Sequence, residues 1–216
     1  VSPFFRPNES HAVDSEDLIR APRRLETPRL VLESPRVEHA AAFNESLAAS
    51  SSSLGFIGWG RHAGDLAWAE DFCARGAGFV ARGEDLIFHV FMRDGGAYVG
   101  RIDLHSFDFD APRCEIGYVG DLRLRGQGLM REAVKAVLDL GFGLGLVRIH
   151  AHCDALNTRS IAFIQGLGFV QEGVMRFYAR NPQGELNDEV VLAFYNAPAV
   201  EGVKARNVIE LAKVVG

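Results

Sequence analysis

A chain of 216 residues, 48% hydrophobic and 24% charged, has the length and balance of one globular domain with a substantial core rather than of a disordered segment. A formal net charge of -5 and a pI near 5.8 argue against the basic face of a general nucleic-acid binder and leave room for a cationic substrate. Three widely spaced cysteines (Cys73, Cys114 and Cys153) form no C-x-x-C pair, so neither a disulfide framework nor a zinc ribbon is indicated, and no apolar run is long enough to cross a membrane.

Residues 1–23 read as a polar, acidic extension without the order of a signal peptide, and the cysteine usage fits a reducing cytoplasm. Arg29 to Glu33 alternates and predicts a first strand. Pro35 then suits the first turn of a helix through Val37, Ala41, Phe43 and Leu47. Ser50 to Ser53 is a loop, and Asp65 to Arg75 a second helical pattern with Leu66, Ala69, Phe72 and Cys73 inward. Leu86 to Met92 predicts a buried strand, Asp94-Gly95-Gly96 a hairpin turn, and Tyr98 to Leu104 its partner, with Tyr98, Gly100, Ile102 and Leu104 on one face. A turn at Asp108 to Pro112 leads into the strand Arg113 to Val119.

The next stretch, Arg123-Leu124-Arg125-Gly126-Gln127-Gly128-Leu129-Met130, joins that strand to an amphipathic helix from Met130 to Leu140. Met130, Ala133, Val134 and Val137 share one face of it. Glycines at a strand-to-helix junction let the backbone turn tightly and let a ligand approach the amides. The first helical N–H groups have no partner and carry the positive end of the helix dipole. The junction therefore suits a phosphate or pyrophosphate, with Arg123 and Arg125 as adjacent cations, although a plain turn has the same glycines. It is neither a Walker loop nor a dinucleotide fingerprint.

Val147 to Cys153 alternates cleanly, with Arg148, His150 and His152 on the face opposite Val147, Ile149, Ala151 and Cys153. Asn157 is a good N-cap for a helix through Ile161, Ile164 and Leu167, which Gly168 can close in a left-handed conformation. Phe169 to Tyr178 and Glu189 to Tyr195 predict two strands joined at Pro182-Gln183-Gly184. Residues 197–216 form a C-terminal extension with helical spacing at Val208, Leu211, Ala212 and Val215. The element order predicts an α+β fold: a mixed, mostly antiparallel sheet of about seven strands flanked by about four helices.

Several of these segments, in order, resemble the GNAT N-acetyltransferases, and within them the ribosomal-protein (RimJ/RimL-like) branch. Arg123-x-x-Gly126-x-Gly128 is similar to their acyl-CoA pyrophosphate loop. Asn157-Thr158-Arg159-Ser160 and Gly166-Leu167-Gly168-Phe169 resemble that branch's helix and its closing Gly-Phe. Leu25-Glu26-Thr27-Pro28-Arg29-Leu30 resembles its first strand, and Glu115-Ile116-Gly117-Tyr118 its fourth. The resemblance covers residues 24–196 as one acetyltransferase domain. It implies that acetyl-CoA, as acyl donor, enters where the fourth and fifth strands splay. The amides of Arg125, Gly126, Gln127, Gly128, Leu129 and Met130 would hold the pyrophosphate. Backbone at Tyr118 and Val119 would hold the pantetheine arm and polarise the thioester carbonyl. Asn157 and Ser160 would stand at the thiol end.

The implied chemistry is attack of a free amine on a thioester. An α-amine is about one-third unprotonated at about pH 7.4 but a lysine amine only about 0.1%, so an α-amine needs little more than one carboxylate acting through a water. Glu115 is the first candidate for that base and Asp188 the second. The tyrosine that many relatives place one turn after Ser160 is replaced by Ile164, so Ser160 is the candidate donor to the leaving thiolate, with helix capping as its alternative role. His150-x-His152 lacks a third ligand, so no metal is expected. Cys114 and Cys153 read as core, and Phe107, Phe109, Trp59 and Trp68 as aromatic residues without an assigned role. The expected activity is acetylation of a primary amine, with a protein N-terminal α-amine as the acceptor that the resemblance favours. Acetylation of a small polycation such as a polyamine or aminoglycoside, and a catalytically silent acyl-CoA-binding module, are the alternatives. The expected partners are acetyl-CoA and the acceptor, without nucleic acid or membrane, and a second copy of the chain is a candidate.

Overall fold

In the computed structural model, which describes residues 13–196, the β-branched and aromatic runs pair into one sheet of eight strands. The strands are β1 (Arg24–Glu26), β2 (Leu30–Glu33), β3 (Leu86–Met92), β4 (Tyr98–Asp108), β5 (Arg113–Gly120), β6 (Arg148–Asp154), β7 (Val170–Arg180) and β8 (Leu186–Tyr195). Their order is β1-β2-β3-β4-β5-β6-β8-β7, antiparallel throughout except between β5 and β6. The helices are α1 (Ser15–Arg20), α2 (Ala40–Ala49), α3 (Leu66–Ala81), α4 (Leu129–Gly143) and α5 (Thr158–Gln165). The expected α+β architecture is present, with one strand more than expected. β1 is three residues long, too short for its alternation to show in the sequence. The helical spacing noted at Val208 to Val215 lies outside the described residues.

Helices cover both faces of the sheet. On one face α4 buries Leu129, Ala133, Val134, Val137 and Leu138 against Leu32, Phe88, Ile102 and Leu104, and α5 adds Ile164. The segment before β1 joins the same core through Val13, Leu18 and Ala21, with Asp14 capping α1. On the other face α2 and α3 bring Phe43, Leu47, Ala69 and Cys73 together with Tyr98. Removing each large aliphatic side chain from water is worth about 1.5–3 kcal/mol, so these two clusters hold the sheet between its helices.

Tyr98 does not share a face with Ile102 and Leu104, as alternation predicted. Opposite Val90 and Phe91 the register jumps from Gly100 to Tyr98, which leaves Val99 as an extra residue. A bulge of one residue turns everything before it to the opposite face. Val99 thus packs under α4, while Tyr98 points toward α2 and α3, where its hydroxyl lies 2.9 Å from His89 Nδ1.

Candidate active site

The parallel pairing of β5 with β6 is short. Only Arg113, Cys114 and Glu115 pair with Arg148, Ile149 and His150, and beyond Glu115 the two strands part. From Ile116 to Gly120 the β6-facing edge of β5 has no strand beside it among the described residues, although its opposite edge stays on β4. Unpaired strand edge is unusual inside a sheet, because each amide and carbonyl there needs a partner. A groove of about 520 Å³ fills the opening, lined by Tyr118, Val119, the glycine loop and the start of α4. Asn157, Ser160 and Phe163 of the α5 segment form its other wall.

The glycine loop closes one end of this groove. Gly126 (φ 83°) and Gly128 (φ 73°) both take the left-handed conformation that glycine alone adopts at little cost. Gly128 is the N-cap of α4 and no side chain among the described residues caps that helix, so its first N–H groups have neither an intrahelical nor a side-chain partner there. The loop is fastened from outside. Arg29 Nη1 donates to the carbonyl of Gln127 (2.9 Å), and Glu132 holds Arg29 through Nε (2.6 Å) and its backbone N–H (3.0 Å). Thr27 Oγ1 donates to the same carboxylate at 2.6 Å. The uncapped amides are therefore held in place before any ligand arrives.

A second cavity, about 320 Å³, opens on the α2/α3 face of the sheet and meets the groove at Tyr118, Asn157 and Ser160. Glu115, Asp103 and Asp154 supply its carboxylates, His105 and His152 its imidazoles, and Trp59 and Phe72 an aromatic wall. Glu115 Oε2 is 3.8 Å from His152 Nδ1 and 4.0 Å from His150 Nε2. His152 Nδ1 is also 3.9 Å from Glu189, whose carboxyl is pushed up by burial and by the nearby Glu115. Burial, together with Arg148 and His152, lowers His150 to about 4, so that ring is neutral at physiological pH. Among the described residues no group of three or more His, Cys, Asp or Glu is arranged to hold a metal ion.

At the junction, Ser160 sits in the first turn of α5. Asn157 Oδ1 accepts from the Ser160 backbone N–H at 3.1 Å and so caps the helix. The Ser160 hydroxyl has no capping task. It lies 2.7 Å from the Tyr118 hydroxyl and 3.5 Å from Cys153 Sγ. Ile164 is fully buried in the main core and does not reach the junction.

The residues read from the sequence are thus partly brought together. Glu115, Tyr118, Val119, Arg125, Gly126, Gly128, Leu129, Met130, Asn157 and Ser160 line the groove or the cavity. Arg123 and Gln127 do not. The Arg123 guanidinium is held by Asp121 (Nη2 2.7 Å) and Glu45 (Nη1 2.6 Å), which neutralise it on the outer side of the loop. Gln127 contributes the carbonyl that Arg29 holds. Asp188 is tied to Arg176 Nη1 (2.6 Å) and the Phe177 N–H (2.9 Å), bonds that hold its carboxyl below the usual range, and it does not line the cavity. Cys114 and Cys153 are both core, as expected, and Cys153 also borders the cavity. Of the four aromatic residues without a role, Trp59 lines the cavity, Trp68 stacks on His62, and Phe107 stacks on Phe109. Sequence reasoning missed Arg101, Asp103 and His105. Their spacing along β4, opposite the apolar Ile102 and Leu104, was the available signal.

Comparison with known proteins places these features in a family context. The sequence model of the Acetyltransferase (GNAT) domain matches residues 29–170. The uncharacterized N-acetyltransferase p20 of Bacillus licheniformis is 30% identical over 125 residues, 57% of this chain and 70% of that protein. The microcin C7 self-immunity acetyltransferase MccE, solved in complex with acetyl-CoA and AMP, shares the fold with a TM-score of 0.73 at 17% identity, over 79% of this chain and 94% of its own. RimL, the ribosomal L7/L12 alpha-N-protein acetyltransferase solved with coenzyme A, gives 0.71 at 19% identity, over 78% and 95%.

Proposed function

The chain belongs to the GNAT acetyltransferases, and on that premise we propose that it transfers the acetyl group of acetyl-CoA to the α-amine of a protein N-terminus. One observation carries the proposal: a groove ending at uncapped helix amides meets a carboxylate-lined cavity at Ser160, with Glu115 on the cavity side. A donor laid along the groove would place its pyrophosphate on the α4 amides, where the helix dipole favours anions. Its pantetheine arm would run beside the unpaired edge of β5 at Tyr118 and Val119 and bring the thioester to the junction. An amine in the cavity would attack the thioester carbon through its lone pair, and the oxyanion would be held by backbone N–H.

In this scheme Glu115 takes the proton from the attacking nitrogen, directly or through a water, and the C–S electron pair leaves on sulfur beside Ser160. The α-amine is favoured as acceptor because it is substantially unprotonated near neutral pH, so one carboxylate suffices. The shared fold with RimL is compatible with that acceptor. The carboxylates of the cavity would also suit a small polycation.

The test is transfer from labelled acetyl-CoA to a panel of N-terminal peptides, a polyamine and an aminoglycoside, read by mass spectrometry. Acetyl on the peptide α-amine is the expected product. Transfer to the polycations alone would reassign the acceptor, and binding without transfer to any amine in the panel or in cell extract would leave an acyl-CoA-binding module.

A further inference from the structure

We infer that Tyr118 is a positioning residue for the departing thiol, acting through Ser160 rather than on the donor itself. The inference rests on the proposed transfer reaction, in which sulfur leaves beside Ser160. Tyr118 comes from β5 and Ser160 from α5, so their contact spans the opening between the strands. The phenol oxygen is 2.7 Å from Ser160 Oγ and 3.3 Å from the Ser160 carbonyl oxygen, and the ring is fixed against Phe163 at 5.1 Å. Two hydroxyls in contact can share their hydrogens in two ways. If the phenol donates to the carbonyl, the serine hydrogen is spent on the phenol oxygen. If the phenol donates to Ser160 Oγ, at the shorter distance, the serine hydrogen is released from the phenol and can turn to Cys153 Sγ, 3.5 Å away, or into the groove, where a thiolate is the stronger acceptor.

Charge gathering on sulfur favours the second arrangement. Each hydrogen bond in a chain polarises the next, and a bond to an ionised acceptor is about twice as strong as a neutral one. Burial holds the Tyr118 hydroxyl well above the usual phenol range, so the phenol keeps its proton and works as a donor, not as an acid. The thioester C–S bond breaks, its electron pair stays on sulfur, and Ser160 donates to the thiolate while Tyr118 donates to Ser160. Neither oxygen ionises, and the thiolate takes its proton from solvent afterwards. The phenol thereby supplies from the strand a donor that a side chain at Ile164, buried in the core, could not supply from the helix.

The product coenzyme A is itself the probe, so no acceptor need be known. The thiol of bound CoA is titrated by its ultraviolet thiolate band, as a difference against desulfo-CoA to remove the protein's own cysteines. We expect the bound thiol of the wild-type enzyme to ionise about tenfold more readily than free CoA, the effect of one charge-assisted hydrogen bond. Tyr118→Phe keeps the ring and should lose about threefold or more of that gain. Ser160→Ala should lose all of it, and the double variant no more than Ser160→Ala. Tyr118→Phe with wild-type ionisation, beside an impaired Ser160→Ala, would overturn the role of Tyr118 and leave that of Ser160. A further loss from Tyr118→Phe in the Ser160→Ala background would show that the phenol acts independently of the serine, and overturn the inference. A wild-type thiol that titrates like free CoA would overturn both roles. CoA that does not bind would overturn the proposed function itself, and this inference with it.

Discussion

Gly120→Ala tests how the sheet sets the start of α4. Gly120 on β5 faces Gly100 on β4, and Met130 from the first turn of α4 lies across both. A Cβ at position 120 would stand 2.8 Å from Met130 Cγ, with Met130 Sδ at 3.5 Å and the nearest backbone atom at 3.8 Å. Ordinary carbon contacts are about 3.5–4.0 Å, so Met130 must withdraw by about 1 Å. Overpacking of this kind costs about 1–3 kcal/mol, and the flexible methionine keeps the cost in the lower half of that range. Removing the obstacle should remove the cost. In a Met130→Ala background the same substitution should be neutral, or stabilising by a few tenths of a kcal/mol as the unfolded chain stiffens. The contrast is Gly100→Ala, whose Cβ would fall 2.4 Å from the Val119 carbonyl oxygen, which is backbone. That clash can be relieved only by parting β4 from β5, so Met130→Ala, which removes only the further 2.7 Å contact with Met130 Sδ, should leave most of the cost in place. Urea unfolding of the cycle of wild type, the two single variants and the double variant reads the coupling, and calorimetry with CoA reads the displaced first turn as weaker binding. A Gly120→Ala cost that is the same in both backgrounds, within about 0.5 kcal/mol, would refute the packing account.

Ser160→Ala should cost about 1 kcal/mol of stability, because Asn157 and not the serine caps α5, yet slow acetyl transfer about 5- to 150-fold; normal turnover in the folded variant would remove Ser160 from the thiol step. Glu115→Gln should lower turnover by about 100-fold or more and alter the acidic limb of the pH–rate profile with CoA affinity unchanged, and an unaltered profile would pass the base role to His152 or solvent. Ile164→Tyr should lower the melting temperature without raising turnover, since its site is a full core position; a stable and faster enzyme would contradict that placement. Burial lowers His150 to about 4 and also lowers His39 and His89, so each ring is neutral in the fold and binds a proton on unfolding. Stability is then fully present above about pH 6.5 and falls as the pH drops toward 4. The loss between pH 7.5 and 5.5 is about 1.3 kcal/mol from His150 alone, and equal urea midpoints at the two values would refute it.

The glycine loop was legible because its signal is local: glycines, then a helical period. The same holds for Asn157, whose cap is three residues from its donor. The ion pairing of Arg123 was not legible because one of its partners, Glu45, lies far away in sequence, on α2, and only the fold brings the two together. The bulge at Val99 was invisible because one extra residue leaves composition unchanged and alters only which face each neighbour takes. The setting of Glu115, with His150 and His152 from β6 and Glu189 beyond them on β8, depends on strand order and register. Alternation alone carries neither. The polar face of β4 was open to inspection, but nothing local marks Arg101, Asp103 and His105 as cavity-facing rather than solvated.

The short pairing of β5 with β6 gives the molecule a pivot. Glu115 is the last paired residue, so it stands at the fulcrum, while Tyr118 lies three positions out along the free arm. At about 3.3 Å per residue that arm is roughly 10 Å long. A 5° breathing of the two half-sheets, a rough illustrative angle, would carry the Tyr118 end about 0.9 Å and leave the Glu115 end almost still. The two ends of the proposed reaction would therefore differ in mechanical tolerance. In the proposed reaction, proton removal by Glu115 would be referenced to a nearly stationary point, whereas the contact between Tyr118 and Ser160 bridges the opening and would stretch with it.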